Sequence, residues 1–143
     1  MLQVARLAPQ QLGESRNLVA GFLRSRLGPD GGFLNRGGTS DLYYTVFGLE
    51  GLVALQEPLP SAVVTEYLTS FRDGDALDFV HLASLARCWA TLSRDASAAP
   101  ARGLLARIEA YRSADGGYAQ TPDADAGTVY AAFLALGGYE DLR

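Results

Sequence analysis

A catalytic nucleophile–base pair in this chain would have to use its one histidine, His81, and its one cysteine, Cys88. Both lie in a predicted helix, residues 77–92, whose leucines recur at helical spacing. Two turns separate them, which is roughly 10 Å along the helix axis. That is too far for direct proton transfer, so the sequence gives no argument for a Cys-His or Ser-His-Asp site, and no catalytic residue is assigned.

A glycine-rich segment, residues 28–45, carries other side chains that could do chemistry. It runs into a helix, and such a turn can cradle a phosphate at a helix N-terminus. However, the same order of small, aromatic and helix-starting residues recurs at 114–118 and 127–133. Because the turn recurs, its glycines are assigned to architecture, where they let the chain reverse. Arg36, Asp41 and Tyr44 are what remains special to the first copy.

Apolar residues at three- and four-residue steps predict six helices and almost no strand. In the first helix, residues 15–27, the predicted buried stripe is Leu18, Val19, Phe22, Leu23 and Leu27. The last helix is predicted at 129–136, closed by Gly137 and Gly138, since glycine commonly ends a helix.

Taken in pairs, the helices form three hairpins, at about 15–55, 61–93 and 100–136, within one domain that spans residues 1–143. When the second helices are aligned, Tyr44, His81 and Tyr130 share one column, at intervals of 37 and 49 residues. Such intervals are typical of repeated helical hairpins.

The composition argues against several kinds of partner and predicts a location. Asp and Glu outnumber Lys and Arg by 16 to 12, and the net charge is -4, which disfavours nucleic acid and anionic membranes as partners. The chain has no apolar run long enough to span a bilayer and no signal-peptide pattern in its first twenty residues, so a cytoplasmic location is expected.

The motifs at residues 30–33, 41–49, 115–118 and 130–133 resemble the prenyltransferase and squalene-oxidase repeat. This family includes the beta subunits of protein prenyltransferases and the triterpene cyclases. The resemblance implies an α/α toroid in which the helix after each glycine turn lies in the inner ring. Phe33 and Tyr118 would then plug the space between neighbouring hairpins.

The resemblance also implies a ligand site for an isoprenoid. Arg36 and Tyr44 correspond to residues that contact the diphosphate, while Asp41 and His81 correspond to zinc ligands. Together with Tyr130, these are the candidate substrate-binding residues.

Two departures leave the chemistry open. Tyr43 stands where the family has its zinc cysteine, and residues 37–40 replace an expected lysine. Zinc held by Asp41 and His81 alone would lack the three or four protein ligands of a catalytic site, so no metal or cofactor is assigned. Without zinc, Asp41 is a helix cap, His81 a hydrogen-bonded pocket residue and Cys88 a small buried hydrophobe.

Three hairpins would make about half of the ring that the resemblance implies, so a second copy or a companion subunit is expected to complete it, unless the chain is part of a longer protein. The main functional hypothesis is a half-toroid that assembles around an apolar cavity and binds an isoprenoid or lipid-like ligand, as part of a prenyl-transfer or cyclase-like enzyme. The alternatives are a non-catalytic structural or protein-interaction module that keeps the repeat fold, and a helical scaffold of the tetratricopeptide or HEAT type. The glycine turns disfavour the scaffold, which does not require them.

Overall fold

The computed structural model describes residues 8–92 and 99–141, with side chains from Gln10 to Leu92 and from Gly103 to Asp141. This part of the chain holds seven helices and no strand, which confirms the predicted all-α class. The helices are α1 (Ala8–Leu12), α2 (Ser15–Ser25), α3 (Leu42–Ala54), α4 (Ser61–Ser70), α5 (Phe79–Leu92), α6 (Ala99–Glu109) and α7 (Val129–Asp141). The predicted end of the second hairpin, residue 93, lies outside the described residues. Closure of the hairpins into a ring stays a prediction.

The helices belong to two compact units, one extending to Tyr67 and one beginning at Leu68, so that the boundary falls within α4. In the first unit, α2 packs against α3. Its core is apolar, since burial of such side chains is the main favourable term in folding. The core residues include Phe33, Leu42, Val46, Leu49, Leu52, Leu55 and Val64.

An ion-pair cluster holds α2 to the segment that follows α3. Arg16 and Arg24 both donate to the carboxylate of Glu57, at 2.8 and 2.5 Å. Arg16 also donates through Nε to the carbonyl of Leu55, at 3.1 Å. α2 is therefore joined to the segment after α3 by charge as well as by packing.

In the second unit, α5 is the central helix and packs against both α6 and α7. Its buried side chains include Phe79, Leu82, Leu85 and Cys88. The predicted burial of Cys88 is thus confirmed. At the surface, Arg87 of α5 donates a hydrogen bond to the carboxylate of Asp141 in α7, at 3.1 Å.

Both glycine turns have the same backbone hydrogen bonds, which confirms that the turn is a repeated unit. The bonds are Gly28 N to Gly32 O (2.7 Å) and Leu34 N to Arg26 O (2.7 Å) in the first turn, and Ser113 N to Gly117 O (3.1 Å) and Ala119 N to Tyr111 O (3.0 Å) in the second. Gly31 and Gly116 take matching positive φ angles of 91° and 87°, a conformation that favours glycine. A β-carbon at Gly31 would also lie 2.1 Å from the carbonyl oxygen of Val63.

Two predictions about helices were wrong. Leu18, Val19 and Phe22 of the predicted α2 stripe are 77%, 38% and 63% exposed, whereas Leu23 of the same stripe lies against Gly51 of α3. The last helix does not end at Gly137 and Gly138 but continues to Asp141. Gly138 is buried against Ile108 of α6, so this glycine serves close helix packing rather than termination.

Candidate functional site

A cavity of about 430 Å³ lies in the first unit, between α2, the first glycine turn and α3. Its walls are largely apolar and are formed by Phe22, Leu23, Phe33, Leu34, Phe47 and Gly48. Its polar lining residues are Arg26, Asn35, Arg36 and Tyr44. Among these described lining residues there are two arginines and no carboxylate, so the cavity combines apolar walls with positive charge.

The cavity has a deep end and an open end. Phe33 is 2% exposed, whereas Phe22 and Phe47 are 63% and 52% exposed. Arg36, on the surface of the glycine turn, is exposed as well. Phe33 and Gly48 therefore form the floor, and Phe22, Phe47 and Arg36 form the mouth.

Hydrogen bonds within the glycine turn fix the segment that carries Arg36. The Arg26 guanidinium donates to the carbonyls of Asn35 and Leu34, at 2.7 and 3.4 Å. The Asn35 side chain in turn accepts from the backbone N–H groups of Gly37 (2.8 Å) and Thr39 (3.2 Å). Such side-chain-to-backbone bonds close a turn without regular structure, and here they set the position of Arg36 at the cavity mouth.

Thr45 fixes the floor of the cavity. Its buried hydroxyl accepts from the backbone N–H of Phe33 at 2.9 Å and donates to the carbonyl of Asp41 at 2.7 Å. The backbone of Phe33 is thereby joined to the first turn of α3, and its ring packs against Gly48 in the same hairpin. The resemblance implied a plug between neighbouring hairpins, but the ring contact observed here is within one hairpin.

The structure brings two of the five candidate residues, Arg36 and Tyr44, to this cavity. Within the described part of the chain, Arg36 forms no ion pair, so its charge is available at the mouth. Tyr44 is half-buried and stacks edge-on with Tyr43 at a centroid distance of 6.2 Å. The role of both residues in binding stays a prediction.

Asp41 caps α3 and is not part of the cavity lining. Its carboxylate accepts from the backbone N–H groups of Tyr43 and Tyr44, at 2.8 and 3.2 Å. These N–H groups have no partner inside the helix, and a capping carboxylate satisfies them. The geometry supports the cap, one of the two roles that the sequence left open for Asp41.

His81 and Tyr130 lie in the second unit. The Asp78 carboxylate accepts from the backbone N–H of His81 and lies 2.9 Å from its ring Nδ1. Partial burial would raise the pKa of Asp78, but the backbone and ring bonds from His81 outweigh it and lower the pKa. Tyr130 is exposed near the start of α7. Among the described residues, no three His, Cys, Asp or Glu side chains gather as a metal site would require.

Of the ten residues that line the cavity, sequence reasoning identified two, Arg36 and Tyr44, as candidate site residues. Phe22 was predicted to belong to a buried helix stripe, because periodicity does not show which part of an apolar face meets a neighbour. Arg26 and Asn35 belong to none of the motifs on which the resemblance rests. The only sequence signal for Asn35 was its place within a glycine-rich turn, where asparagine commonly bonds to the backbone.

A second polar cluster, also missed, joins α6, the second glycine turn and α7. The Glu109 carboxylate accepts from the hydroxyls of Tyr118 (2.9 Å) and Tyr139 and from the Arg112 guanidinium. These bonds, Arg112 first, lower the pKa of Glu109 to about 2. The guanidinium also lies 4.8 Å from the centre of the Tyr118 ring. Because every member has a partner in the cluster, its geometry is that of a structural clamp.

Comparison with known proteins finds no family model, no curated protein and no solved structure that matches this chain. Among the residues that the structure describes, no helix combines the length and apolar character needed to cross a membrane.

Proposed function

We propose that the cavity of the first unit binds an isoprenoid diphosphate or a similar lipid-like molecule with an anionic head. The single observation that carries this proposal is the arrangement of the lining: aromatic walls, with Arg36 at the mouth and no acidic side chain among the described lining residues. An apolar cavity with a few polar groups is the usual form of a small-molecule site, and a volume of about 430 Å³ is within the range of such sites.

The head of the ligand would lie at the mouth, where Arg36 can donate two N–H groups to one phosphate. Arg36 forms no ion pair within the described part of the chain, so no protein carboxylate has to be displaced. Tyr44 would donate its hydroxyl to the same group. The tail would lie between Phe22 and Phe47 and extend toward Phe33.

The proposal includes an assembly in which this chain forms about half of a ring. A second copy of the chain, or a companion subunit with the same repeat, would complete a ring in a prenyltransferase-like or cyclase-like assembly. The described residues carry a binding site in this proposal, and no bond-making step is assigned to them.

Isothermal titration calorimetry with three probes tests the proposal. Farnesyl diphosphate supplies both head and tail, farnesol only the tail, and inorganic diphosphate only the head. We expect farnesyl diphosphate to bind more tightly than either of the other two, because both parts of the cavity are then occupied. Equal binding of farnesyl diphosphate and inorganic diphosphate would reject the apolar part of the site.

A second candidate function, a non-catalytic interaction module, is favoured by the exposed face of α7. Val129 and Leu136 on this helix are 90% and 58% exposed, and Tyr130 and Phe133 lie beside them. Apolar patches of this kind often mark contacts between proteins. In this alternative the partner is a second copy of the chain.

Sedimentation velocity over a range of concentrations tests the alternative. The wild-type chain should associate, and Leu136→Lys should weaken the association at least about tenfold, since it places a charge in the contact. Val63→Lys is the matched control, because Val63 is an exposed apolar residue of α4 in the other unit. A chain that stays monomeric at all concentrations would reject this function.

A further inference from the structure

The two glycine turns share their backbone hydrogen bonds but not their neighbours. In the first turn, a β-carbon on Gly31 would lie 2.1 Å from the carbonyl oxygen of Val63, and one on Gly32 would lie 2.6 Å from the ring of Tyr67. Helix α4 therefore lies directly on this turn. A β-carbon on Gly116 of the second turn would have no atom of the described residues within 4 Å, and on the next glycine its three nearest atoms belong to the same turn. Within the described residues, the second turn thus lacks the helix contact that α4 makes with the first.

The helices that follow the two turns differ in the same way. The backbone N–H groups of Asp41 and Thr128 each donate to the carbonyl of the aromatic residue of their turn, at 3.1 and 2.7 Å, so these two caps are equivalent. This register differs by one residue from the column that aligns Tyr44 with Tyr130. The apolar residues one, five and eight positions after the cap are Leu42, Val46 and Leu49 in α3, and Val129, Phe133 and Leu136 in α7. The three in α3 are buried and the three in α7, here called the α7 face, are exposed.

Helix α2 repeats the apolar pattern of α4 but leaves it exposed. Each is the first helix of its hairpin, and each has two adjacent apolar residues followed, after two further positions, by an aromatic residue and a leucine. These residues are Leu18, Val19, Phe22 and Leu23 in α2, and Val63, Val64, Tyr67 and Leu68 in α4. Val64 and Tyr67 are buried in the first unit, whereas their counterparts Val19 and Phe22 are exposed together with Leu18. Leu18, Val19 and Phe22 are here called the α2 face.

From these equivalences we infer that the α2 face of one copy of this chain packs on the second glycine turn and the α7 face of another copy, as α4 packs on the first turn. In repeat proteins each unit buries its apolar faces against its neighbours, and this contact continues the repeat from one copy to the next. The contact joins two different surfaces, head to tail, unlike a symmetric contact between two α7 faces. The inference rests on the assembly that the proposed function includes, and it does not depend on the ligand.

The charges on the two surfaces are complementary. Residues 14–26 together with Glu57, which pairs with two of their arginines, carry three arginines and two glutamates. Residues 112–128, which contain the second turn, carry three aspartates and one arginine. Opposite net charge favours the encounter of α2 with this turn and disfavours the pairing of two second turns.

Sedimentation velocity with two variants, alone and mixed, tests the inference. Leu18→Lys places a charge in the α2 face and Leu136→Lys places one in the α7 face. Each variant alone should associate at least about tenfold more weakly than wild type, because every contact needs one intact face of each kind. An equimolar mixture should form a one-to-one dimer and nothing larger, since only one pair of intact faces can meet. Val63→Lys makes the same exchange at the α4 counterpart of Leu18 and should associate like wild type.

Three results would overturn the inference. If Leu18→Lys associates like wild type while Leu136→Lys does not, the α7 faces meet each other. If the mixture gives no more dimer than the separate variants, the two faces do not pair. If the wild-type chain is monomeric at all concentrations, no second copy binds. Circular dichroism establishes that each variant is folded, and glutamine replaces lysine at a position where the lysine variant does not fold.

Calorimetry with farnesyl diphosphate separates this inference from the ligand site. Leu18 and Leu136 are not among the residues that line the cavity of the first unit. The dimer formed by the mixture with no binding of farnesyl diphosphate would support the inference and reject the ligand site. Binding of farnesyl diphosphate by a chain that stays monomeric would support the ligand site and overturn the inference.

Discussion

The ring of Phe33 lies directly against Gly48, so the turn before α3 packs on the middle of that helix at a position that has no side chain. A β-carbon at position 48 would lie 2.2 to 2.4 Å from three atoms of the ring. Contacts this short are not tolerated in packed interiors, so either the ring or the helix would have to move. The contact makes the glycine a requirement of the fold and of the cavity floor.

Gly48→Ala should lower the free energy of unfolding by about 2 kcal/mol, as overpacked cores generally do. Gly21→Ala is the matched control, because Gly21 is also within a helix and has no atom within 4 Å of the added carbon. It should raise stability by about 0.5–1 kcal/mol through helix propensity alone. Urea denaturation of the three proteins measures both effects, and equal effects of the two substitutions would contradict the close contact.

Asp41 contributes to stability as the cap of α3. Asp41→Ala should cost about 1 kcal/mol, because the N–H groups of Tyr43 and Tyr44 lose their acceptor. Asp41→Asn keeps an acceptor oxygen and should retain most of the wild-type stability. Thermal unfolding separates the two variants. If Asp41→Ala were as stable as wild type, the capping role would be wrong.

The stability of the second unit should depend on pH through the ionisation of Glu109. Hydrogen bonds from Arg112, Tyr139 and Tyr118 lower its pKa from the ordinary value of 4.5 to about 2. A carboxyl with a lowered folded pKa stabilises the protein above its unfolded pKa, and this contribution is lost as the pH falls through the folded value. The stabilisation should thus be complete above about pH 4.5 to 5 and disappear between there and about pH 2.

Unfolding measured between pH 2 and 7 tests this for wild type and Glu109→Gln. The stability difference between the two should be largest near neutral pH and shrink as the pH falls. Glu66→Gln, at an exposed position of α4, is the control and should show a small difference throughout. A difference between wild type and Glu109→Gln that stays constant down to pH 2 would show that the carboxylate is not stabilised by its three partners.

Local sequence signals were sufficient for six of the seven described helices and for the repeated turn, but not for α1. Val64, Tyr67 and Leu68 of α4 recur at helical spacing and are buried, and Gly31 and Gly116 occupy equivalent conformations. The end of α7 was missed because glycine is a stop signal only where nothing packs against it. Gly138 instead provides room for Ile108, a contact between residues far apart in the sequence.

Only two residues of the candidate site could be predicted, because their residue types and their places in the motif indicated a role in binding. Arg36 and Tyr44 were identified in the sequence, and they line one cavity. Phe22 was assigned to the core, because an apolar residue on a helix has the same periodicity whether it faces a neighbouring helix or a cavity.

The most direct measurement of the central claim is the affinity of the chain for farnesyl diphosphate with and without the Arg36 guanidinium, by isothermal titration calorimetry. Arg36→Gln should weaken binding at least about tenfold, the usual scale for loss of a hydrogen bond to a charged group. Arg72→Gln, which removes an exposed arginine in the second unit, should leave the affinity unchanged. Equal affinities of wild type, Arg36→Gln and Arg72→Gln would contradict an anion site at the mouth of this cavity.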